Sequence, residues 1–178
     1  MAQREILLAD NPTLRQKSKK IRVINAGVQR LIDDMTETMH EAHGVGLAAP
    51  QVGELVRVVV IHLPESEPMA LINPQVVKRS GERILEEGCL SVPGWRGEVK
   101  RSVTVLVKAI NRHGREIRIK ATDDLLAQAL EHEIDHLDGI LYIDRLTAPD
   151  RMWKLLPPEE AGEGEENLAA AGSPSVEI

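Results

Sequence analysis

Phenylalanine is absent from this 178-residue chain, which also holds only one tyrosine, two tryptophans and one cysteine. Without aromatic bulk, the core has to be built from Leu, Ile and Val. A lone Cys89 excludes an intrachain disulfide framework and implies no oxidising compartment. No uncharged run reaches the length of a membrane span. The N-terminal MAQREILLADNP offers too short an apolar stretch for a signal-peptide core. A cytoplasmic protein with no membrane attachment is the expectation. Basic excess is lacking too. The segment Pro157–Ile178 carries six acids and no Lys or Arg, leaving 22 acidic and 22 basic residues in the remainder. A neutral body argues against nonspecific nucleic-acid binding. The length suits one domain over residues 1–156, followed by an acidic tail over 157–178 with little to bury, expected to be disordered.

Helical periodicity is strong in two places. In NAGVQRLIDDMTETMHEAHG the apolar residues Val28, Leu31, Ile32, Met35, Met39 and Ala42 share one face, with Asn25 as a cap and Gly44 as a stop. TDDLLAQALEHEIDHLDG forms the second helix, capped by Thr122 or Asp123 and ended by Gly139. NPTLRQKS reads as a short turn or helix. RVVVIHL, MALINPQVVKRSG (interrupted at Pro74) and SVTVLVKAINRHG read as strands, and the turn at His113–Gly114 leads into REIRIKA as a hairpin. LYIDRL is predicted as a short strand and PDRMWKLL as a final helical turn. Hairpin-like strands without intervening helices indicate an α+β fold.

The second helix contains His-Glu-x-x-His. His132 and His136, four residues apart, project from one face about 6 Å apart along the axis and can reach one metal ion. Glu133 is displaced around the helix and can sit beside a metal-bound water without being a ligand. The apolar stripe Leu126, Leu130, Ile134 and Leu137 indicates a buried helix, on which these polar groups need partners. A metzincin-type protease would carry a third His three residues beyond Gly139, where this chain has Tyr142. A thermolysin-like enzyme would use a later Glu, but Glu159 and Glu160 follow Pro157–Pro158 in the tail. Cys89, in the loop of EEGCLSVPGW, completes a three-ligand set with one position left for water.

Three segments in order, GVGLAAPQ (Gly44–Gln51), EGCLS (Glu87–Ser91) and EHEIDHLDG (Glu131–Gly139), resemble the motifs of the peptide deformylases, over about residues 5–155. Glu131 departs from the Gln usual in that family. The resemblance implies antiparallel sheets packed around a central helix bearing HExxH, with a second long helix toward the N-terminus. It implies a divalent ion on Cys89, His132 and His136. Iron(II) is expected, although ligand type alone also admits zinc, nickel or cobalt. It implies a hydrolase that removes the N-formyl group from the N-terminal methionine of new polypeptides. Glu133 would move the proton, while the Gln51 amide and the Leu90 backbone N–H would stabilise the oxyanion. Gly44 and Gly46 would let an extended peptide approach. Val45, Leu126, Ala129 and the His132 ring would wall a methionine pocket, with Gly88, Glu87 and Arg96 beside it and Trp95 at its rim. Glu87 could equally brace Arg101. Partners are then N-formylmethionyl nascent peptides and, transiently, the ribosome, although the acidic end of this chain does not match docking by a basic C-terminal helix. Two other readings stay open: a hydrolase for another acyl group, and a noncatalytic metal clamp or nascent-chain binder.

Overall fold

The computed structural model describes residues 2–156 and residue 178. Apart from Ile178, the tail expected over residues 157–178 lies outside the described residues. Among the described residues no helix is long and apolar enough to cross a membrane.

The first helix, α1 (Ala26–Glu41), begins where the Asn25 side chain accepts the Val28 N–H at 3.1 Å. It buries Leu31, Ile32, Met35 and Met39. Its end differs from the predicted Gly44 stop. Ala42 is the C-cap, and His43 takes the left-handed conformation (φ 57°) that redirects the chain. The glycine-rich segment gives a short strand β1 (Gly46–Ala48) and a 3-10 turn, Ala49–Val52. Then come β2 (Val58–Ile61), β3 (Met69–Ser80), β4 (Arg83–Glu87), β5 (Trp95–Arg101), β6 (Thr104–Ile110) and β7 (Glu116–Thr122). The second helix α2 covers Leu125–Leu137, and β8 covers Met152–Lys154.

Antiparallel pairing orders one sheet β1-β2-β3-β6-β7 and a smaller one β4-β5-β8. The larger sheet is covered on both faces, as its strand sequences require. Val58 and Val60 join the apolar cluster of α1, while Val59 and Ile61 join that of α2. Leu47 and Ala48 divide in the same way, and so do Ile72 and Leu71. The fold is thus α+β, with the HExxH helix packed between sheet layers.

Four local expectations are corrected. Pro74 does not interrupt β3. The strand absorbs it with a register shift between Ile72 and Gln75, beside Asn73 at φ 51°, whose side chain bonds both polar groups of Ile21's backbone. The α2 cap is neither Thr122 nor Asp123. Asp123 turns left-handed (φ 50°), so that Asp124 accepts the Ala127 N–H at 2.7 Å. Tyr142–Arg145 is a 3-10 helix rather than a strand, because the Asp144 carboxylate accepts the Leu141 N–H and closes a turn. PDRMWKLL supplies β8 instead of a helical turn, because Trp95–Gly97 offers it a strand edge.

Candidate active site

Three chain segments meet where α2 passes between the sheets. Cys89 stands just beyond β4, and His132 and His136 lie on the second and third turns of α2. All three are buried, and their ligand atoms lie within 4.8 Å of one another. The Cys89 Sγ to His136 Nε2 distance is 3.3 Å. A tetrahedral ion with ordinary metal–sulfur and metal–nitrogen bonds separates its donors by about 3.3–3.6 Å, so the donor set fits a single divalent ion.

The polar atoms around this point make the same demand. His132 Nε2 and both Glu133 carboxylate oxygens are buried without a hydrogen-bond partner among the described residues. Native proteins seldom leave such groups unmatched away from a functional centre. Burial pushes the Glu133 carboxyl up to about 7. Burial also drives His136 well below its ordinary value. At His132 burial opposes the charge, but Glu87 and the Cys89 sulfur outweigh it and raise the imidazole well above its ordinary value. A field that favours a proton there also favours a cation.

His132 is held by a buried ionic chain. Its Nδ1 faces Glu87 Oε2 at 2.8 Å, leaving Nε2 as the donor toward the metal position. Arg101 grips Glu87 through two bonds, at 2.7 and 2.9 Å, and reaches Asp135 at 2.6 Å. Arg145 then closes on Asp135 at 3.0 and 2.8 Å. Burial opposes the charge on Glu87, yet Arg101 and His132 hold its carboxyl down to about 2. Of the two roles open to Glu87, its buried side chain takes the brace, bonded to Arg101 and His132. The pairing of Asp135 with Arg101 and Arg145, and the stacking of Tyr142, were not anticipated from sequence. The Tyr142 ring stacks on His132 with centroids 6.2 Å apart. Asp135 follows His132 at helical spacing, and that signal could have shown that it shares the ligand's side of α2.

Gln51 is buried in the 3-10 turn after β1. Its carbonyl accepts the Ala48 N–H at 2.9 Å, which aims the amide nitrogen at Ser91 Oγ (3.1 Å) and Cys89 Sγ (3.7 Å). Leu90 supplies the next peptide group after the ligand cysteine. Gly44 and Gly46 lie close to this machinery. A Cβ on Gly44 would come within 2.7 Å of Leu90, and one on Gly46 within 2.4 Å of a Glu133 oxygen. β1 is also the terminal strand of its sheet.

Val45 and Ala129 are buried in the apolar cluster under α2, with Leu126 packed against it. Gly88 is buried beneath Arg96, whose Nε would lie 3.3 Å from a Cβ there. Arg96 itself is buried, whereas Trp95 is partly exposed on the smaller sheet. Glu131 faces away from the metal position, accepting the Ser102 N–H (2.8 Å), the Ser102 hydroxyl (2.9 Å) and Arg79 (3.1 Å). Its charge therefore serves the fold rather than the ligands.

Comparison with known proteins agrees with this geometry. The family described as polypeptide deformylase matches residues 3–152. A peptide deformylase of Dehalococcoides mccartyi (strain CBDB1) is 51% identical, covering 92% of this chain and 98% of its own. That of Thermomicrobium roseum is 46% identical over 90% and 94%. Among solved structures, a peptide deformylase from Legionella pneumophila superposes with a TM-score of 0.80 at 43% identity, covering 84% of this chain and 89% of that one. The Thermus thermophilus enzyme gives 0.79 at 40% identity, over 83% and 88%. The chain belongs to the polypeptide deformylase family, metal-dependent hydrolases that remove the N-formyl group from the N-terminal methionine of new polypeptides.

Proposed function

We propose that Cys89, His132 and His136 hold one iron(II) ion, with zinc, nickel or cobalt able to substitute, and that Glu133 is the proton carrier of deformylation. The observation that carries this reading is the Glu133 carboxylate, fully buried with both oxygens unpartnered beside three converging donors. When bound, a divalent ion supplies Lewis acidity at the formyl oxygen and brings a coordinated water's pKa toward neutral. Glu133 takes a proton from the attacking water and returns it to the leaving amine nitrogen, so that formate departs and the peptide gains a free N-terminus. The Gln51 amide, locked by its bond to the Ala48 N–H, and the Leu90 N–H donate to the developing oxyanion. Gly44, Val45 and Gly46 give the peptide backbone a strand edge, and Val45, Leu126, Ala129 and the His132 ring take the methionine side chain. Arg96, lying over Gly88, faces the peptide beyond the first residue. A noncatalytic clamp would need neither Glu133 nor Gln51, and this favours the enzyme.

The substrate is made on ribosomes, which supports work in the cytoplasm with transient ribosome contact. The test is formate release from formyl-Met-Ala-Ser by protein loaded with iron(II) under anaerobic conditions, beside Glu133→Ala. The variant keeps its metal and loses about 10²–10⁴-fold in kcat. A metal-loaded variant turning over at the parent rate would refute the assignment of Glu133.

A further inference from the structure

Ile178 stands 22 positions beyond Leu156 in the sequence, yet only 2% of its surface is exposed, and it belongs to the apolar cluster beneath α2. Among the described residues, every other member of that cluster, and every side chain packed against it, comes from residues 45–137. The cluster includes Val45 and Ala129, with Leu126 against it, the three aliphatic walls assigned above to the methionine pocket. A pocket that admits a side chain from solvent needs reachable walls, but Val45 is 6% exposed and Ala129 0%. Among the described residues, Ile178 is the one member of this buried cluster that lies beyond the catalytic fold in sequence.

We propose that Ile178 occupies the methionine pocket as an internal competitor of the substrate; this rests on the deformylase reading above. Isoleucine has as many side-chain carbons as methionine has heavy atoms, and it gains by the same loss of apolar surface to water. Extended chain of 22 residues spans up to roughly 75 Å, so its connection to Leu156 allows Ile178 to reach any point on a domain of this size. Tethering keeps the competitor near the pocket at an effective concentration in the ~mM range. It offers no formyl amide to Glu133 and is not consumed. Substrate must displace it, so the apparent KM rises by the inverse of the fraction of open pockets, while kcat at saturation is that of the substrate-filled enzyme.

The test uses the full chain loaded with zinc and labelled at isoleucine δ1 and at leucine and valine methyl groups. The Ile178 resonance is assigned with Ile178→Val. Cross-peaks from Ile178 to Val45 and Leu126 are expected, and they disappear as the product peptide Met-Ala-Ser is added. An Ile178 methyl at the free-peptide shift, without those cross-peaks, overturns the proposal whatever the enzyme's activity. In steady-state assays of formyl-Met-Ala-Ser cleavage, Ile178→Asp lowers KM about 3- to 10-fold at constant kcat, corresponding to a pocket open about 10–30% of the time. An unchanged KM overturns the competition. Absence of formate release from both parent and variant would instead remove the deformylase reading, while the methyl cross-peaks still decide where Ile178 sits.

Discussion

Replacing Gly46 by Ala is a one-carbon change aimed at the proton carrier. The added Cβ would stand 2.4 Å from Glu133 Oε1, 2.9 Å from its Cδ and 3.0 Å from its Cγ, where ordinary contact begins near 3.4 Å. The carboxylate must therefore retreat by about 1 Å, and full burial leaves it little room to do so by rotation alone. Gly46 has an ordinary strand backbone paired to Ile61, so alanine meets no conformational penalty there. The stability cost is then the local repacking, about 1–3 kcal/mol. A misplacement of 1 Å in a reacting group costs on the order of 10² in rate, or about 2.7 kcal/mol of barrier. The expected result is a folded Gly46→Ala protein that retains one metal per chain and loses about 100-fold in kcat for formyl-Met-Ala-Ser. The assay is formate release with metal quantified in the same sample and urea unfolding measured in parallel. A metal-loaded variant with kcat within about threefold of the parent would show that Glu133 does not have to occupy the position it holds here.

Arg101→Met leaves Glu87 without its guanidinium partner in a buried site and removes one of two partners from Asp135. A loss of about 3–5 kcal/mol in urea unfolding is expected, and a loss below about 1 kcal/mol would contradict the brace. Glu131→Gln turns an amide toward the Ser102 donors, costing about 1–3 kcal/mol of stability. Its kcat stays at the parent value; a changed kcat would mean that this side chain reaches the ligands after all. The Glu87 carboxyl sits at about 2 when folded against 4.5 when free, so its contribution of about 3 kcal/mol is whole above pH 4.5 and is lost as pH falls toward 2. Between pH 5 and pH 3 the stability difference between metal-free parent and Glu87→Gln is expected to shrink by about 2 kcal/mol. A difference independent of pH would refute the shift.

What was legible in the sequence was local. The spacing of His132 and His136 settles their common face because a helix has one period, and Asn25 caps α1 through a bond only three residues long. RVVVIHL was legible as a strand, and its uninterrupted apolar run matches the two clusters on either side of it. What escaped was decided at long range. The Leu141–Arg145 segment alternates like a strand, but the reach of Asp144 back to Leu141 favours a turn. β8 exists only because β5, whose paired residues lie 55–59 positions earlier in the sequence, presents an edge. Arg101 and Asp135 are 34 residues apart, and no pattern along the chain marks one as the other's partner. Glu87 was legible as important, but its choice between peptide and Arg101 needed the packing of β4 against α2. The segment over residues 157–178 was read as having little to bury, and Ile178, its one described residue, is buried.

The donor set is divided between layers that lie far apart along the chain. Cys89 follows a strand of the smaller sheet, whereas both histidines belong to the helix under the larger one, more than 40 residues further on. Local contacts form before distant ones, so α2 can offer two imidazoles early but the thiolate only after the two sheets have docked. High-affinity ion capture is therefore a signature of finished tertiary structure. Followed in time during refolding, it would mark the moment at which the smaller sheet closes, more sharply than the helical signal.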